Sequence, residues 1–379
     1  MHDVAIIGAG VAGSYLAHNL AQHGYKVLVL EKKENVSRDT CCTGIVSQKC
    51  LDLLKAPDSL ILRKVNSATF YDSKGESIRL WRNHDVAYIL DRPGLNTLLK
   101  QKAESAGVTY ALPSIVTQIQ PSNDHVRIIT TDNNYLCKAI VFATGFGSAL
   151  PQQAGMGRIT RFTIGAQVEV TSNTISEVAI YLDKKISPDW FAWLVPTQDQ
   201  KAFLGLMTQH NVKQHLETLI SKLIAENKIQ SDSINPSFET IPATYSSKTY
   251  ANRALVVGEA AGQVKSMTGG GIYFSLLGAD IAANILHEGF IKDDLSAKML
   301  SQYQKEWQKA LKRELIAGSL IQKAYTSLNN KQIHWLFKIA NRRNLAQFIT
   351  NTDSFDFDFH GKLLMSLCKN MLTFSSTRQ

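Results

Sequence analysis

The sequence lacks any uninterrupted apolar run close to the roughly 18 residues that a bilayer-spanning helix requires. Before its first apolar segment there is neither the basic stretch nor the small-residue cleavage site of a secretory signal. Internal repeats and low-complexity tracts are also absent, and no long disordered tail is expected. These absences predict a cytoplasmic protein, with peripheral contact at a membrane left open.

Cysteine is scarce in this chain. The 379 residues include five cysteines, an odd number, and none forms the spaced doublets of a structural metal site. His210 and His215 have no further ligand nearby in the sequence, so no metal is expected. A 44% apolar content over this length can bury one or two cores without disulfides. Reduced thiols are therefore expected at Cys41, Cys42, Cys50, Cys137 and Cys368.

Positive charge is concentrated in the last quarter of the chain. From residue 291 onward there are 14 Lys and Arg against 7 Asp and Glu, so this region carries +7 of the formal net charge of +9. Basic residues lie among apolar residues at helical spacing, which predicts amphipathic helices that either contact a membrane surface or simply cover a core. Nucleic acid is not expected, because zinc-finger and RNP-type patterns are absent. The apolar positions are Trp307, Leu311, Leu315, Ile333, Leu336, Phe337 and Ala340.

The N-terminal segment carries a glycine pattern between a predicted strand and a predicted helix. In Gly8-x-Gly10-x-x-Gly13, the first glycine permits a tight turn, the second lets backbone approach a pyrophosphate, and the third lets the helix pack on the sheet. An acidic residue ends the next predicted strand, where it suits an unphosphorylated ribose. The residues expected to bind a dinucleotide here are Gly8, Gly10, Val11, Ala12, Gly13, Glu31 and Lys32.

A second glycine-rich site lies some 250 residues later. A buried strand ends in Gly258-Glu259, and the run Gly269-Gly270-Gly271 opens another helix. Two helix N-termini in one chain can bind the pyrophosphate and ribityl parts of one long dinucleotide, which indicates FAD rather than a nicotinamide. The expected contacts at this site are Gly258, Glu259, Gly269, Gly270, Gly271 and Ile272.

The order of predicted elements indicates interleaved domains. We predict an α/β (α+β overall) fold, in which a Rossmann-type FAD-binding domain is interleaved with an antiparallel-sheet substrate domain and followed by C-terminal helices. A helix is predicted from Ile89 to Ala106, opened by Asp91-Arg92-Pro93. The predicted ranges are 1–65, 85–155 and 245–290 for the FAD-binding domain, 66–84 and 156–244 for the substrate sheet, and 291–379 for the basic helical region.

Two narrower motifs accompany the glycine patterns. Cys42-Thr43-Gly44-Ile45-Val46-Ser47 resembles the Cys-Ala-Gly-Leu-Val-Ser loop of the geranylgeranyl reductase family, and Phe191-Ala192-Trp193-Leu194-Val195-Pro196 resembles its Tyr-x-Trp-x-Phe-Pro motif. Here Phe191 replaces the tyrosine of that motif, Val195 replaces its phenylalanine, and Glu259 replaces the usual aspartate. The chain is thus similar to a family of FAD-dependent oxidoreductases with the p-hydroxybenzoate hydroxylase-like fold.

This resemblance implies reduction of carbon-carbon double bonds in a geranylgeranyl or other isoprenoid chain, by hydride transfer from reduced flavin. It further implies a catalytic or flavin-facing thiol at Cys42 or its neighbour Cys41, although a buried structural cysteine fits equally. Additional cofactor contacts implied by the family are Arg92, Ala143, Thr144 and Gly145. The aromatic positions implied as substrate walls, which ordinary core packing would also explain, are Tyr181, Phe191, Trp193, Pro196 and Phe203.

Other functions share these patterns. A flavin-dependent monooxygenase using NAD(P)H and oxygen is one alternative, and an FAD-stabilised binding protein is another. A second nucleotide fingerprint for NAD(P)H is absent, so the electron donor stays open between NAD(P)H and a ferredoxin-like carrier. The sequence therefore predicts a flavoprotein with a hydrophobic prenyl substrate and leaves the donor and oligomeric state undefined.

Overall fold

A computed structural model describes residues 1–38, 41–172, 174–230, 235–352 and 355–359. The chain forms two compact units. The first combines Met1–Thr40, Asp91–Phe162 and Thr240–Leu315, and the second combines Cys41–Leu90, Thr163–Glu239 and the described residues from Ile316 onward.

The strands, in chain order, are β1 (His2–Ile7), β2 (Val27–Leu30), β3 (Ile45–Val46), β4 (Ile61–Val65), β5 (Ser67–Asp72), β6 (Ser77–Trp81), β7 (Ala87–Leu90), β8 (Thr109–Ala111), β9 (Val116–Pro121), β10 (Val126–Thr130), β11 (Asn134–Phe142), β12 (Phe162–Thr171), β13 (Val178–Leu182), β14 (Ala192–Pro196), β15 (Lys201–Thr208), β16 (Ser237–Pro242), β17 (Tyr250–Ala251) and β18 (Ala254–Val256). The helices are α1 (Val11–Gln22), α2 (Gln48–Leu54), α3 (Arg92–Ser105), α4 (Leu150–Gln153), α5 (Val212–Ala225), α6 (Ile272–Ile291), α7 (Ala297–Ser327), α8 (Asn330–Arg342) and α9 (Leu345–Asn351). Two short 3-10 helices occupy Asp58–Leu60 and Gly258–Ala261.

The first unit is built on a parallel sheet with neighbours in the order β18-β11-β1-β2-β8. The central segments 4–7, 27–30 and 139–142 are apolar and buried, because a parallel sheet covered on both faces exposes neither side to water. Within β1, Ile6 pairs with Val29 on one side and Val141 on the other. The predicted Rossmann-type domain is confirmed, since strand and helix alternate around this sheet.

The second unit contains a sheet in the order β16-β12-β15-β14-β13-β5-β6. Its β12–β15, β15–β14, β14–β13 and β5–β6 pairs are antiparallel, in agreement with the predicted antiparallel sheet, whereas β13 and β5 are parallel. One face of this sheet packs in a core that includes α5. The other face packs in a core that includes residues of the small sheet β3-β7-β4.

One predicted helix boundary is wrong. Ile89 and Leu90 were assigned to the helix before Ala106, but they belong to strand β7 and are fully buried between β3 and β4. The helix begins at Arg92, because Pro93 fits the first turn, where a missing N–H costs nothing.

The C-terminal helices bury most of their predicted apolar positions. Trp307, Leu311 and Leu315 of α7 and Phe337 of α8 are buried, whereas Leu336 of α8 is exposed. Among the described residues, no helix combines the length and apolar character needed to cross a bilayer.

Candidate flavin and substrate sites

The glycine loop after β1 is shaped by two close backbone approaches. Gly8 has φ +107°, and a Cβ at this position would lie 2.2 Å from the carbonyl oxygen of Ala143. A Cβ at Gly13 would lie 2.0 Å from the carbonyl oxygen of Gly8. Both glycines are therefore required by packing alone, whatever binds in front of the loop.

Gly10 differs from its two partners in the motif. It is the N-cap of α1 and has an ordinary φ of −72°. A Cβ at this position would have no described atom within 4 Å. No described side chain caps this helix, so the amide groups of its first turn, which contains Val11 and Ala12, have no side-chain acceptor. A helix N-terminus of this kind binds phosphate, which is what the pyrophosphate of FAD requires.

Two backbone hydrogen bonds hold the carboxylate of Glu31 beside this loop. Its Oε2 accepts a 2.8 Å hydrogen bond from the backbone N–H of Ala9, and its Oε1 accepts a 3.0 Å bond from that of Lys33. Each oxygen keeps a second lone pair, so the group can still accept the hydroxyls of a ribose. Lys32 is exposed next to it.

A buried chain of hydroxyls supports the loop from behind. The hydroxyl of Tyr110 on β8 donates to Ser14 Oγ at 3.0 Å, and Ser14 donates to the carbonyl of Ala9 at 3.2 Å. Burial raises the pKa of Tyr110 to about 12, so this phenol stays a donor at neutral pH. Ser14 and Tyr110 belong to no motif, and the sequence did not single them out.

Arg92 and the loop after β11 are the other predicted cofactor contacts in the first unit. Arg92 is the first residue of α3; its Nη1 donates to Asn96 at 3.3 Å, while its Nε is buried without a described partner. Asp91 holds the N-cap position but makes no side-chain cap bond. Beyond β11, the N–H of Ala143 donates a 2.8 Å hydrogen bond to the carbonyl of Ile7. Thr144 and Gly145 follow, and Gly145 has φ +67°.

The second glycine site lies at the end of β18. Gly258 has φ +68°, and a Cβ there would lie 3.0 Å from the Cβ of Ala12 in the first turn of α1. Glu259 follows in the 3-10 helix, and a Cβ at Gly271 would lie 3.5 Å from its Oε1. The two glycine motifs are therefore brought together, although some 250 residues separate them.

The run that precedes α6 belongs to the same site. Gly269 has φ +69°, and the carbonyl of Gly270 accepts a hydrogen bond from the backbone N–H of Lys265. Gly271 is the N-cap of α6 and carries no side-chain cap, so the helix that starts at Ile272 is a second glycine-capped N-terminus.

A buried hydrogen-bond relay fixes the start of the second loop. The N–H of Gly258 donates to Gln263 Oε1 at 2.7 Å, and Gln263 Nε2 donates to the hydroxyl of Tyr303 at 2.8 Å. Tyr303 donates in turn to the carbonyl of Val256 at 2.8 Å. Complete burial raises the pKa of Tyr303, which keeps its proton in place. No sequence pattern marks Gln263 or Tyr303, since neither lies in a motif.

In the second unit, Trp193 lies across the sheet on Gly205. These two residues are opposite each other on β14 and β15, and a Cβ at Gly205 would lie 2.4 Å from the indole ring. Phe191 packs against Trp193 edge to face, with ring centroids 6.0 Å apart. Phe203 packs in the same core, whereas the indole Nε1 is buried without a described partner.

Tyr181 and Pro196 occupy other positions. Tyr181 lies in the core with α5, on the face of the sheet opposite Trp193, where burial raises the pKa of its phenol. Pro196 ends β14 and pairs with Ala202. Three of the five predicted substrate residues, Phe191, Trp193 and Phe203, are therefore brought together, and Tyr181 and Pro196 are not among them.

The loop that carries Cys42 is joined to the Trp193 face. The hydroxyl of Thr43 donates to Gln167 Oε1 at 2.7 Å, and Gln167 is paired with Gly205 in the sheet. The N–H of Gly44 donates to the sulfur of Cys42 at 3.4 Å. Both Cys41 and Cys42 are half-buried and reduced. Gln167 is a site residue that the sequence did not reveal.

Several known proteins are similar to this chain over most of its length. The family model for pyridine nucleotide-disulphide oxidoreductases matches residues 2–181. A digeranylgeranylglycerophospholipid reductase of Methanocaldococcus jannaschii is 24% identical over 81% of this chain and 82% of its own. Digeranylgeranylglycerophospholipid reductase 1 of Methanococcoides burtonii is 25% identical over 88% and 86%. The chain is thus similar to members of the geranylgeranyl reductase family of FAD-dependent oxidoreductases.

The fold of this family is also seen in a solved structure. A geranylgeranyl bacteriochlorophyll reductase-like protein from Thermoplasma acidophilum superposes with a TM-score of 0.86 at 21% identity, covering 97% of this chain and 96% of that one. The predictions of an FAD-dependent oxidoreductase and of a resemblance to the geranylgeranyl reductases are confirmed. The residues of the first unit fit the cofactor, because two uncapped helix N-termini, an open Gly10 and an unpartnered Arg92 Nε can take its phosphates.

Proposed function

We propose that this reductase saturates double bonds in the geranylgeranyl chains of a lipid. The observation that carries the proposal is the Thr43–Gln167 hydrogen bond, which joins the Cys42 loop to the apolar face under Trp193. The two relatives named above are digeranylgeranylglycerophospholipid reductases, and a lipid of that class has long prenyl chains that need a dry, apolar surface.

Each part of the site has a role in this proposal. FAD would be held at the α1 and α6 N-termini with Glu31 on its ribose, and in its reduced form would supply a hydride to one alkene carbon. The other carbon needs a proton, and we assign it to the thiol of Cys42, which would recover the proton from solvent. The prenyl chain of the substrate would pack against Trp193, Phe191 and Phe203. These side chains would exclude water from the double bond.

The electron donor and the location belong to the same proposal. NAD(P)H or a ferredoxin-like carrier would reduce the flavin between turnovers. The basic C-terminal helices would place the enzyme at a membrane surface, where its lipid substrate lies.

An anaerobic experiment tests the reaction. The purified protein is reduced with dithionite, a digeranylgeranyl lipid is added, and flavin reoxidation is followed together with product mass. Reoxidation with a gain of two mass units per bond is expected. A flavin that stays reduced until oxygen is admitted would instead indicate the monooxygenase alternative. Cys42→Ala should slow reoxidation at unchanged flavin content, whereas Cys50→Ala, which alters a fully buried thiol in α2, should not.

A further inference from the structure

Helix α8 carries a basic stripe with a tryptophan at its centre. Lys331, Trp335, Lys338 and Arg342 are spaced by four, three and four residues, so they share one side of the helix. All four are exposed, and Trp335 is 61% exposed, which is unusual for the largest apolar side chain.

The opposite side of α8 is held firmly in the second unit. Ile333 and Phe337 are buried there, and His334 Nδ1 lies 2.5 Å from Oδ2 of the fully buried Asp72 side chain. Asn341 donates to the side chain of Glu76 at 2.6 Å and to the backbone of Ser77 at 3.1 Å. These contacts fix the rotation of the helix and keep the stripe facing outward.

The N-terminus of α8 is also fixed. Asn329 and Gln332 form a reciprocal capping box, with bonds of 3.0 and 2.9 Å. A helix capped at its start and clamped along one side presents the stripe as a preformed surface, so no ordering cost is added when a partner binds.

The charges of the stripe have no ion-pair partner among the described residues. Within the described part of the chain, Lys331, Lys338 and Arg342 take part in no ion pair. The formal charge of the stripe is therefore +3, arranged around one indole. Leu336, which is 43% exposed, lies next to it.

We propose that this stripe docks α8 on the anionic surface of a lipid bilayer. An indole prefers the headgroup level of a membrane, and the flanking cations attract anionic lipids. A single tryptophan offers no platform for successive bases, which a single-stranded nucleic acid would need. The inference rests on the proposed function for its purpose, because a lipid reductase must reach its substrate, but it can be tested without the reaction.

Vesicle flotation of the full chain tests the docking surface. The probes are vesicles of phosphatidylcholine alone and vesicles containing phosphatidylglycerol, at low and high salt. Wild-type protein should float with the anionic vesicles at low salt and be released at high salt. Trp335→Ser should weaken binding several-fold, and Lys331→Gln with Lys338→Gln roughly 10- to 30-fold.

Matched controls separate the stripe from general effects. Trp81→Ser removes another exposed tryptophan, and Lys64→Gln with Lys213→Gln removes the same charge from exposed positions outside α8. These variants should float like wild type, and thermal unfolding should be unchanged in all of them. Equal flotation of wild type and stripe variants would overturn the proposal, as would binding that ignores lipid charge or binding to nucleic acid without binding to vesicles.

The failure of docking and of the reductase function can be distinguished. With substrate dispersed in detergent, the stripe variants should reduce it as wild type does, and with substrate in anionic vesicles their KM should rise. Protein that floats through the stripe but reduces no prenyl lipid in either form would leave docking intact and contradict the proposed function.

Discussion

The hydroxyl of Thr43 donates a 2.7 Å hydrogen bond to the side-chain oxygen of Gln167. Gln167 on β12 is opposite Gly205 on β15, which in turn is opposite Trp193 on β14. Residues opposite each other across a sheet share a face. One hydrogen bond thus connects the loop of Cys42 to the strand face under Trp193, so the two narrower motifs lie at the same face of the sheet.

Replacing Thr43 by valine should uncouple the Cys42 loop from the sheet. Gln167 is buried, so losing its partner should cost about 1–3 kcal/mol of unfolding free energy. We expect the rate of prenyl reduction to fall several-fold while flavin content stays normal. The measurements are anaerobic flavin reoxidation and chemical denaturation. Thr43→Ser keeps the hydroxyl and should restore the rate; a valine variant as fast as wild type would show that the bond has no part in the reaction.

A methyl group at position 205 should displace the Trp193 ring. The Cβ of Gly205→Ala would lie 2.4 Å from the indole and 2.6 Å from the carbonyl of Ala166, so the ring or the strand must move. Overpacking of this kind costs about 1–3 kcal/mol. We expect a raised KM for prenyl lipid with unchanged flavin binding, measured by steady-state kinetics. Gly75→Ala, at a turn with open space and φ +84°, controls for strain alone.

The parts of the molecule that could be predicted are those encoded locally. The spacing of Gly8, Gly10 and Gly13 predicts a strand, a turn and a helix, and Glu31 lies at the loop, as its position after β2 indicates. Gln167 could not be found, because its role depends on the register of β12 against β15, which no local pattern encodes.

Local patterns also could not predict on which face of a sheet or on which side of a helix a residue lies. Tyr181 was grouped with Trp193 as an aromatic strand residue, but Trp193 is opposite Ile180, so the neighbouring Tyr181 points to the other side. Leu336 fits a helical repeat with Ile333, yet α8 turns it outward because His334 and Asn341 are held by the hairpin of β5 and β6.

The three N-terminal glycines should respond differently to alanine. Gly8→Ala and Gly13→Ala place a Cβ within 2.2 Å of backbone oxygen, so both variants should unfold at lower temperature or fail to fold. Gly10→Ala meets open space with an acceptable φ and should fold normally. It should nevertheless lose FAD, because its methyl group would occupy the space in front of the helix N-terminus. Flavin absorbance per protein and thermal unfolding of the same samples would check this, and full flavin occupancy in Gly10→Ala would contradict the site.

Tyr303→Phe should weaken the second half of the cofactor site. The change removes the partner of Gln263 Nε2 and the donor to Val256, both buried, at a cost of about 1–3 kcal/mol. Because Gln263 also holds the N–H of Gly258, we expect faster FAD loss on dilution, measured by the recovery of flavin fluorescence. Tyr245→Phe, which keeps the ring packed edge to face on Trp307, is the control and should retain FAD.

Lys184 should make stability depend on pH in the alkaline range. Its Nζ donates to the carbonyls of Pro188 and Tyr325, and burial lowers its pKa from 10.5 to about 8. Between about pH 8 and 10.5 the unfolded chain binds the proton that the folded chain has released, so this residue makes unfolding less favourable as pH rises through that window. Denaturation of wild type and Lys184→Gln at pH 7.5 and 10 isolates the effect. The unfolding free energy of wild type minus that of Lys184→Gln should be larger at pH 10 than at pH 7.5. A difference that is constant, or that is smaller at pH 10, would contradict the lowered pKa.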